Sequence, residues 1–211
     1  MKKQKDKRRP VKKLIIRKMK STDDYRAVCK LIYKTDDIIY PDLLGKNKEI
    51  AYEVLKKLLN DPDSLFYYKN YYVAEYEGEI IGIAALHKKT VKWKPNTVIR
   101  AFNELQKDPP GKFKNVSKYY KGVYNKSQSK HMKLRNVSVK NRCQKKGVGS
   151  KIVQHIIKEH EGSSIELWVQ VTNCAALELY NKSGFEKEGQ DILDYGGYVE
   201  QKVLCRRMVR Y

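Results

Sequence analysis

A chain of 211 residues with 41% hydrophobic content is long enough to bury a full core in one domain. Lysine and arginine outnumber aspartate and glutamate 45 to 24, a net charge of +21 that argues against strongly cationic ligands unless their pocket is acidic. That charge leaves two readings open, a polyanionic partner such as RNA or the ribosome, or a lysine bias spread along the chain. Cys29, Cys143, Cys174 and Cys205 form no C-x-x-C pair and no ligand cluster with His87, His131, His155 and His160, which predicts a reduced, cytoplasmic protein without a metal.

The first residues, MKKQKDKRRPVKK, are a charge run, read as a disordered basic tail over 1–11 with a nuclear address or nucleic-acid arm as the alternative. Nothing after it is apolar for long enough to be a signal peptide or membrane span. Residues 12–211 are expected to form one domain. A strand is predicted from Lys13 to Met19, then a helix capped by Ser21 or Thr22 that buries Tyr25, Val28, Ile32 and Tyr33. Pro41 and Gly45 mark Asp36–Lys48 as a loop, and a helix follows from Glu49 to Leu59. Tyr71–Tyr76 and Glu79–Leu86 flank Glu77-Gly78, a hairpin signal. The stretch from about 90 to 130 is longer than a strand connection needs and reads as a helical insertion. Its Tyr119, Tyr120 and Tyr124 either pack on the domain or stack on bases.

Between Met132 and Phe185 the pattern carries chemistry. In MKLRNVSV, Met132 and Leu134 share one phase of alternation and Val137 and Val139 the other, so the strand must slip a residue near Arg135 and Asn136. A β-bulge does this, bends the strand and leaves main-chain groups free for a ligand. Gln144-Lys145-Lys146-Gly147-Val148-Gly149-Ser150 then opens a helix with Val148, Ile152, Ile156 and Ile157 at helical spacing. Free N–H groups and the helix dipole suit such a start to a diphosphate, although a plain turn needs the same glycines. It fits neither G-x-G-x-x-G nor the G-x-x-x-x-G-K-[ST] loop. Ser164–Val171 reads as a strand, and Asn173 and Gly184 bound the next helix as N-cap and C′ residues. Tyr180 lies about two turns after Asn173 on the same face. Strands are expected to Ile192 and over Lys202–Val209, joined through Gly196-Gly197.

Val137-Ser-Val139, Gln144-x-x-Gly147-x-Gly149, Val171-x-Asn173 and Leu179-Tyr180-x-x-x-Gly184-Phe185 together resemble the GNAT superfamily of acetyl-CoA-dependent N-acetyltransferases. The fold expected with it is α/β: a mixed, mostly antiparallel twisted sheet of six or seven strands, helices on both faces, and a parallel strand pair splayed at the bulge. The resemblance implies that main-chain groups of Val137 and Val139 pair with the pantetheine arm of acetyl-CoA. Gln144 and the amides of Lys145, Lys146, Gly147, Val148, Gly149 and Ser150 would hold the pyrophosphate. Asn173 would contact pantetheine, and the Tyr180 hydroxyl would face the thioester sulfur. The loop after the first helix would cover the acceptor, with Tyr40 and Asp42 lining it or serving only as loop residues.

The implied reaction is direct attack of a primary amine, from a small molecule or a protein, on the acetyl group in a ternary complex. The Val137 N–H would serve the oxyanion. Tyr180, as acid or simple donor, would serve the sulfur. Many members carry a carboxylate before the position of Val137, where this chain has Lys133, Arg135 and Asn136. Either Glu75 acts through water or the amine arrives neutral. Two other classes remain at this stage, a basic RNA- or ribosome-associated protein and an acetyl-CoA-binding regulator without turnover. The protein is expected to be a monomer or homodimer with no membrane contact.

Overall fold

The computed structural model describes residues 13–121, 124, 130–193 and 203–211. The expected basic tail and the loop carrying Gly196 and Gly197 lie outside them. Strands β1 (Ile15–Lys18), β2 (Tyr71–Tyr76), β3 (Glu79–His87) and β4 (Met132–Val139) pair antiparallel in that order. β4 then runs parallel to β5 (Ile165–Gln170). The last hairpin, β6 (Glu186–Leu193) and β7 (Val203–Arg210), joins with β7 against β5, which gives seven strands in the order β1-β2-β3-β4-β5-β7-β6. The β2–β3 hairpin turns on Glu77 and Gly78 at φ +53° and +78°, two left-handed residues in succession as a two-residue hairpin prefers.

Alternation along the strands sends side chains to two cores. Tyr71, Val73, Ile83 and Ala85 pack under α1 (Tyr25–Tyr33), α2 (Ile39–Leu44), α3 (Lys48–Asn60), α4 (Pro95–Asn103) and α5 (Phe113–Lys121). Tyr72, Ala74, Ala84 and Leu86 pack under α6 (Val148–Glu159) and α7 (Cys174–Lys182). α6 buries Val148, Ile152, Val153 and Ile156. At about 1.5–3 kcal/mol for each buried aliphatic, packing rather than intrinsic propensity holds it. No helix among the described residues is long and apolar enough to cross a membrane.

Two local expectations are corrected. The α1 cap is Asp24, whose Oδ1 accepts from Ala27 N at 3.1 Å, and not Ser21 or Thr22. A carboxylate at that position also meets the positive end of the helix dipole. The expected loop at Asp36–Lys48 contains the six-residue α2. Pro41 is the third residue of α2, where its missing N–H would have had no intrahelical acceptor. The stretch from about 90 to 130 contains the helices α4 and α5, and Tyr120 and Tyr124 are buried in the core beneath them, which leaves neither ring free to stack on a base.

β4 slips as its sequence requires. Ser138 lies opposite Ile83 and Arg135 opposite Ala85, so β4 spends one residue more than β3 over that interval. Asn136 takes the left-handed conformation at φ +53°. As a result Met132 and Leu134 before the slip and Val137 and Val139 after it all meet the core under α6. β4 and β5 pair only at Met132–Ile165 and Lys133–Glu166 and then part. The pair is clamped by Lys133 Nζ on Glu166 Oε1 at 2.6 Å, with both side chains under a tenth exposed, and Arg207 holds the other Glu166 oxygen at 3.0 Å.

Asn136 is therefore the residue to change. Asn136→Gly keeps the left-handed backbone and loses side-chain hydrogen bonds, at an expected cost of about 1–3 kcal/mol. Asn136→Val adds the strain of a β-branched residue at positive φ, roughly 1–3 kcal/mol more. Urea unfolding measures both, and equal stabilities would show that the left-handed residue is not needed.

Candidate functional site

The site lies where β4 and β5 part. Lys140 N donates to Ile81 O at 2.8 Å, so in the antiparallel ladder Ser138 faces β3 while the main-chain groups of Val137 and Val139 face the β5 side. β5 bonds there to β7 and not to β4. The Val139 carbonyl accepts from Gln144 Nε2 at 3.2 Å and from Lys34 Nζ at 3.4 Å. Gln144 thereby joins the strand end to the turn that follows.

That turn presents donors. Lys145 at φ +58° and Gly147 at φ +76° swing the chain into α6, whose N-cap is Gly147 with no side-chain cap. The first helical bond runs from Lys151 N to Gly147 O, so the amides of Val148, Gly149 and Ser150 precede it and have no acceptor within the helix. Lys145 and Lys146 are exposed beside them. The two glycines do different work. A Cβ on Gly147 would meet nothing within 4 Å, whereas one on Gly149 would lie 2.9 Å from Leu179 Cδ1. Gly147 leaves open approach to the amides, and Gly149 lets α7 lie close to α6.

α7 carries the other two predicted residues. Asn173 is its N-cap, with Oδ1 accepting from Ala176 N at 3.1 Å. Tyr180 is 8% exposed and stands edge-on to Phe185 with ring centroids 5.7 Å apart. Burial alone pushes its phenol well above the usual range, so it stays protonated at physiological pH. Such a group donates a hydrogen bond readily and gives up its proton reluctantly.

On the opposite side of β4 the bulge is tied to α2 and to the segment just before it. Asn136 Nδ2 donates to Thr35 Oγ1 at 2.8 Å and to the Tyr40 hydroxyl, and burial pushes the Tyr40 phenol up to about 12. Asp36 accepts from Ile38 N at 3.0 Å and Ile39 N at 2.7 Å, and burial raises its carboxyl. Tyr40 lines a small cavity with Tyr71, His87, Tyr124, Arg135 and Asn136. Asp42, by contrast, pairs with Lys112 of the insertion at 3.7 Å and is not among the lining residues. Glu75, the carboxylate offered as a base through water, stands in an ion pair. Arg17 holds its Oε2 at 2.6 and 2.9 Å while also binding Asp23, so the carboxylate is neutralised within a structural ion pair. Asp36, His87 and Arg135 were not singled out for this side, and only the polar His87 ending an apolar strand could have signalled it.

His87 has a pH consequence. It is buried, its Nδ1 bonds the Tyr124 hydroxyl at 3.2 Å, and burial together with nearby Arg135 lowers its pKa from 6.5 to about 3. The unfolded chain therefore binds more protons between those values, and stability present above pH 6.5 is lost as pH falls toward 3. The expected loss from this group is about 2 kcal/mol between pH 7 and pH 5. Urea unfolding of wild type and His87→Gln at both pH values checks it, and identical pH slopes would refute it.

Residues 32–185, well over half of the chain, match the Acetyltransferase (GNAT) family. No curated protein matches in sequence. Among solved structures, the fold is similar to an N-acetyltransferase from Staphylococcus aureus Mu50 at 19% identity, over 92% of this chain and 99% of that one, with a TM-score of 0.67. It is also similar to PH1933 from Pyrococcus horikoshii OT3, at 18% identity over 94% and 98% of the chains and a TM-score of 0.51. A third is the ribosomal-protein-S18-alanine N-acetyltransferase from Escherichia coli, at 14% identity over 94% and 93% and a TM-score of 0.52. With its splayed parallel pair, its glycine-led helix start and this family match, the chain belongs to the GNAT acetyltransferase family.

Proposed function

We propose that the protein is an N-acetyltransferase that moves the acetyl group of acetyl-CoA to a primary amine by direct attack in a ternary complex. The observation that carries this reading is the edge of β4 at Val137 and Val139, which pairs with no strand there among the described residues and leads straight to the uncapped amides at the start of α6. A long ligand with amides at one end and a diphosphate at the other fits that sequence of donors. Val137 and Val139 would pair with the pantetheine amides, and the amides from Lys145 to Ser150 would take the pyrophosphate, with Lys145, Lys146 and Lys151 adding charge. The free amide hydrogens of Asn173 are available to the pantetheine region, since its cap uses Oδ1.

Acetyl-CoA supplies an activated thioester. Overall, a C–N bond forms, the C–S bond breaks, and one proton passes from the amine to the sulfur. Val137 N–H would donate to the carbonyl oxygen as charge grows there. Tyr180 would donate to the sulfur. Its raised pKa favours hydrogen bonding over full proton transfer. With Glu75 held by Arg17, the reading takes the amine as arriving neutral. It also takes residues 12–211 as one domain with α4 and α5 as its insertion, and the cytoplasm as its setting.

Acetyl-CoA at about a hundred times its Kd should stabilise the protein by about 2.7 kcal/mol, a rise in Tm of roughly 5–10 °C. No rise at any concentration would remove the reading. For turnover, Tyr180→Phe keeps the ring packing and loses only the donor. Free-thiol release at saturating acetyl-CoA should fall roughly ten- to thousandfold with cofactor affinity retained. Equal rates would take Tyr180 out of the mechanism.

A further inference from the structure

We propose that Arg135 receives an anionic group of the acceptor, so that the amines acetylated here carry a carboxylate close to the amine. This rests on the acetyltransferase reading and names its substrate class. Arg135 is the last β4 residue before Asn136, and its side chain points away from the α6 core, into the cavity lined by Tyr40, Tyr71, His87 and Tyr124. The guanidinium stands over the Tyr124 ring at 5.5 Å.

Its partners set it apart. Lys133, Arg17 and Arg207 each hold a carboxylate at 2.6–3.0 Å. Arg135 has no carboxylate within ion-pair distance among the described residues. Asp36 is close enough for each to feel the other's charge, but it stands outside ion-pair distance, and its Oδ1 accepts from both the Ile38 and Ile39 amides. Leaving a guanidinium in an aromatic pocket without a counter-ion costs free energy, and an arriving anion would recover it.

Tyr71 is the independent observation. Its side chain is 0% exposed, its hydroxyl has no hydrogen-bond partner among the described residues, and it lines the same cavity. Buried polar atoms are nearly always paired, so an orphan here points to a missing partner. A planar cationic fork beside a phenol donor is the chemistry that recognises a carboxylate. Arg135 precedes Val137 by two residues along β4, at most about 7 Å of strand. One small molecule can therefore offer its amine near Val137 and its carboxylate to Arg135, as an amino acid does. The cavity is about 10 Å³, room for about one water. A carboxylate is larger than that, so it enters only as the Tyr124 ring moves off the guanidinium. The protein's charge of +21 favours the approach of such acceptors.

The test is free-thiol release from acetyl-CoA with free L-amino acids and their matched carboxamides as acceptors. Wild type should prefer the best amino acid over its own amide by ten- to hundredfold in kcat/KM, and Arg135→Gln should bring that ratio near one. A wild-type ratio near one overturns the proposal, as does a ratio that survives Arg135→Gln or turnover confined to amines without a carboxylate. The absence of turnover with every amine, in a protein that acetyl-CoA stabilises, also overturns it. Should Arg135→Gln fail to fold, Tyr71→Phe removes only the orphan hydroxyl. It should keep or raise Tm and raise KM for the amino acid several-fold with kcat little changed, and an unchanged KM overturns the site. The acetyl-CoA shift in wild-type Tm stands apart from these arms. Its absence defeats the underlying reading, whereas its presence without acid preference defeats only this proposal.

Discussion

The structure depends on one interruption of the β4 ladder. A left-handed Asn136 gives β4 one residue more than β3 needs, and that single residue has three effects at once. It returns Val137 and Val139 to the apolar core under α6. It lets β4 part from β5 beyond Lys133, so that strand edges normally hidden in a sheet are left for a ligand. It also leaves Arg135 turned toward the opposite core. Asparagine suits the position because it tolerates positive φ better than other residues with side chains, and its amide is spent on Thr35 and Tyr40.

Parting two strands is costly unless something holds them where they still meet. The Lys133–Glu166–Arg207 network does so, with Glu166 bonded on both oxygens across three neighbouring strands. Removing either partner of the Lys133–Glu166 pair would strand a buried charge. A sheet that opens at one end and is cross-linked at the other is a wedge, and its mouth lies beside the amides of α6.

The faces of β4 divide the labour. Toward α6 and α7 lie the uncapped amides, the small residues and Tyr180. Toward α2 and α5 lie tyrosines, His87 and Arg135. Asn136 touches the second group while its backbone shapes the first, which couples Thr35 and α2 to the strand whose edge parts from β5.

Features resting on short-range chemistry were legible in the sequence. The phase break in MKLRNVSV marks the bulge, Glu77-Gly78 the hairpin, the two glycines the start of α6, and Asn173 with Gly184 the limits of α7, because each needs only neighbours a few residues away. What the tertiary structure alone decided depends on partners far apart in the chain. Glu75 is occupied because Arg17 lies across the sheet, Gly149 faces Leu179 because α7 packs on α6, and β7 inserts between β5 and β6. The surroundings of Arg135 are drawn from α2, β2, β3 and the insertion, and no periodicity along β4 could have shown that its charge has no counter-ion among the described residues.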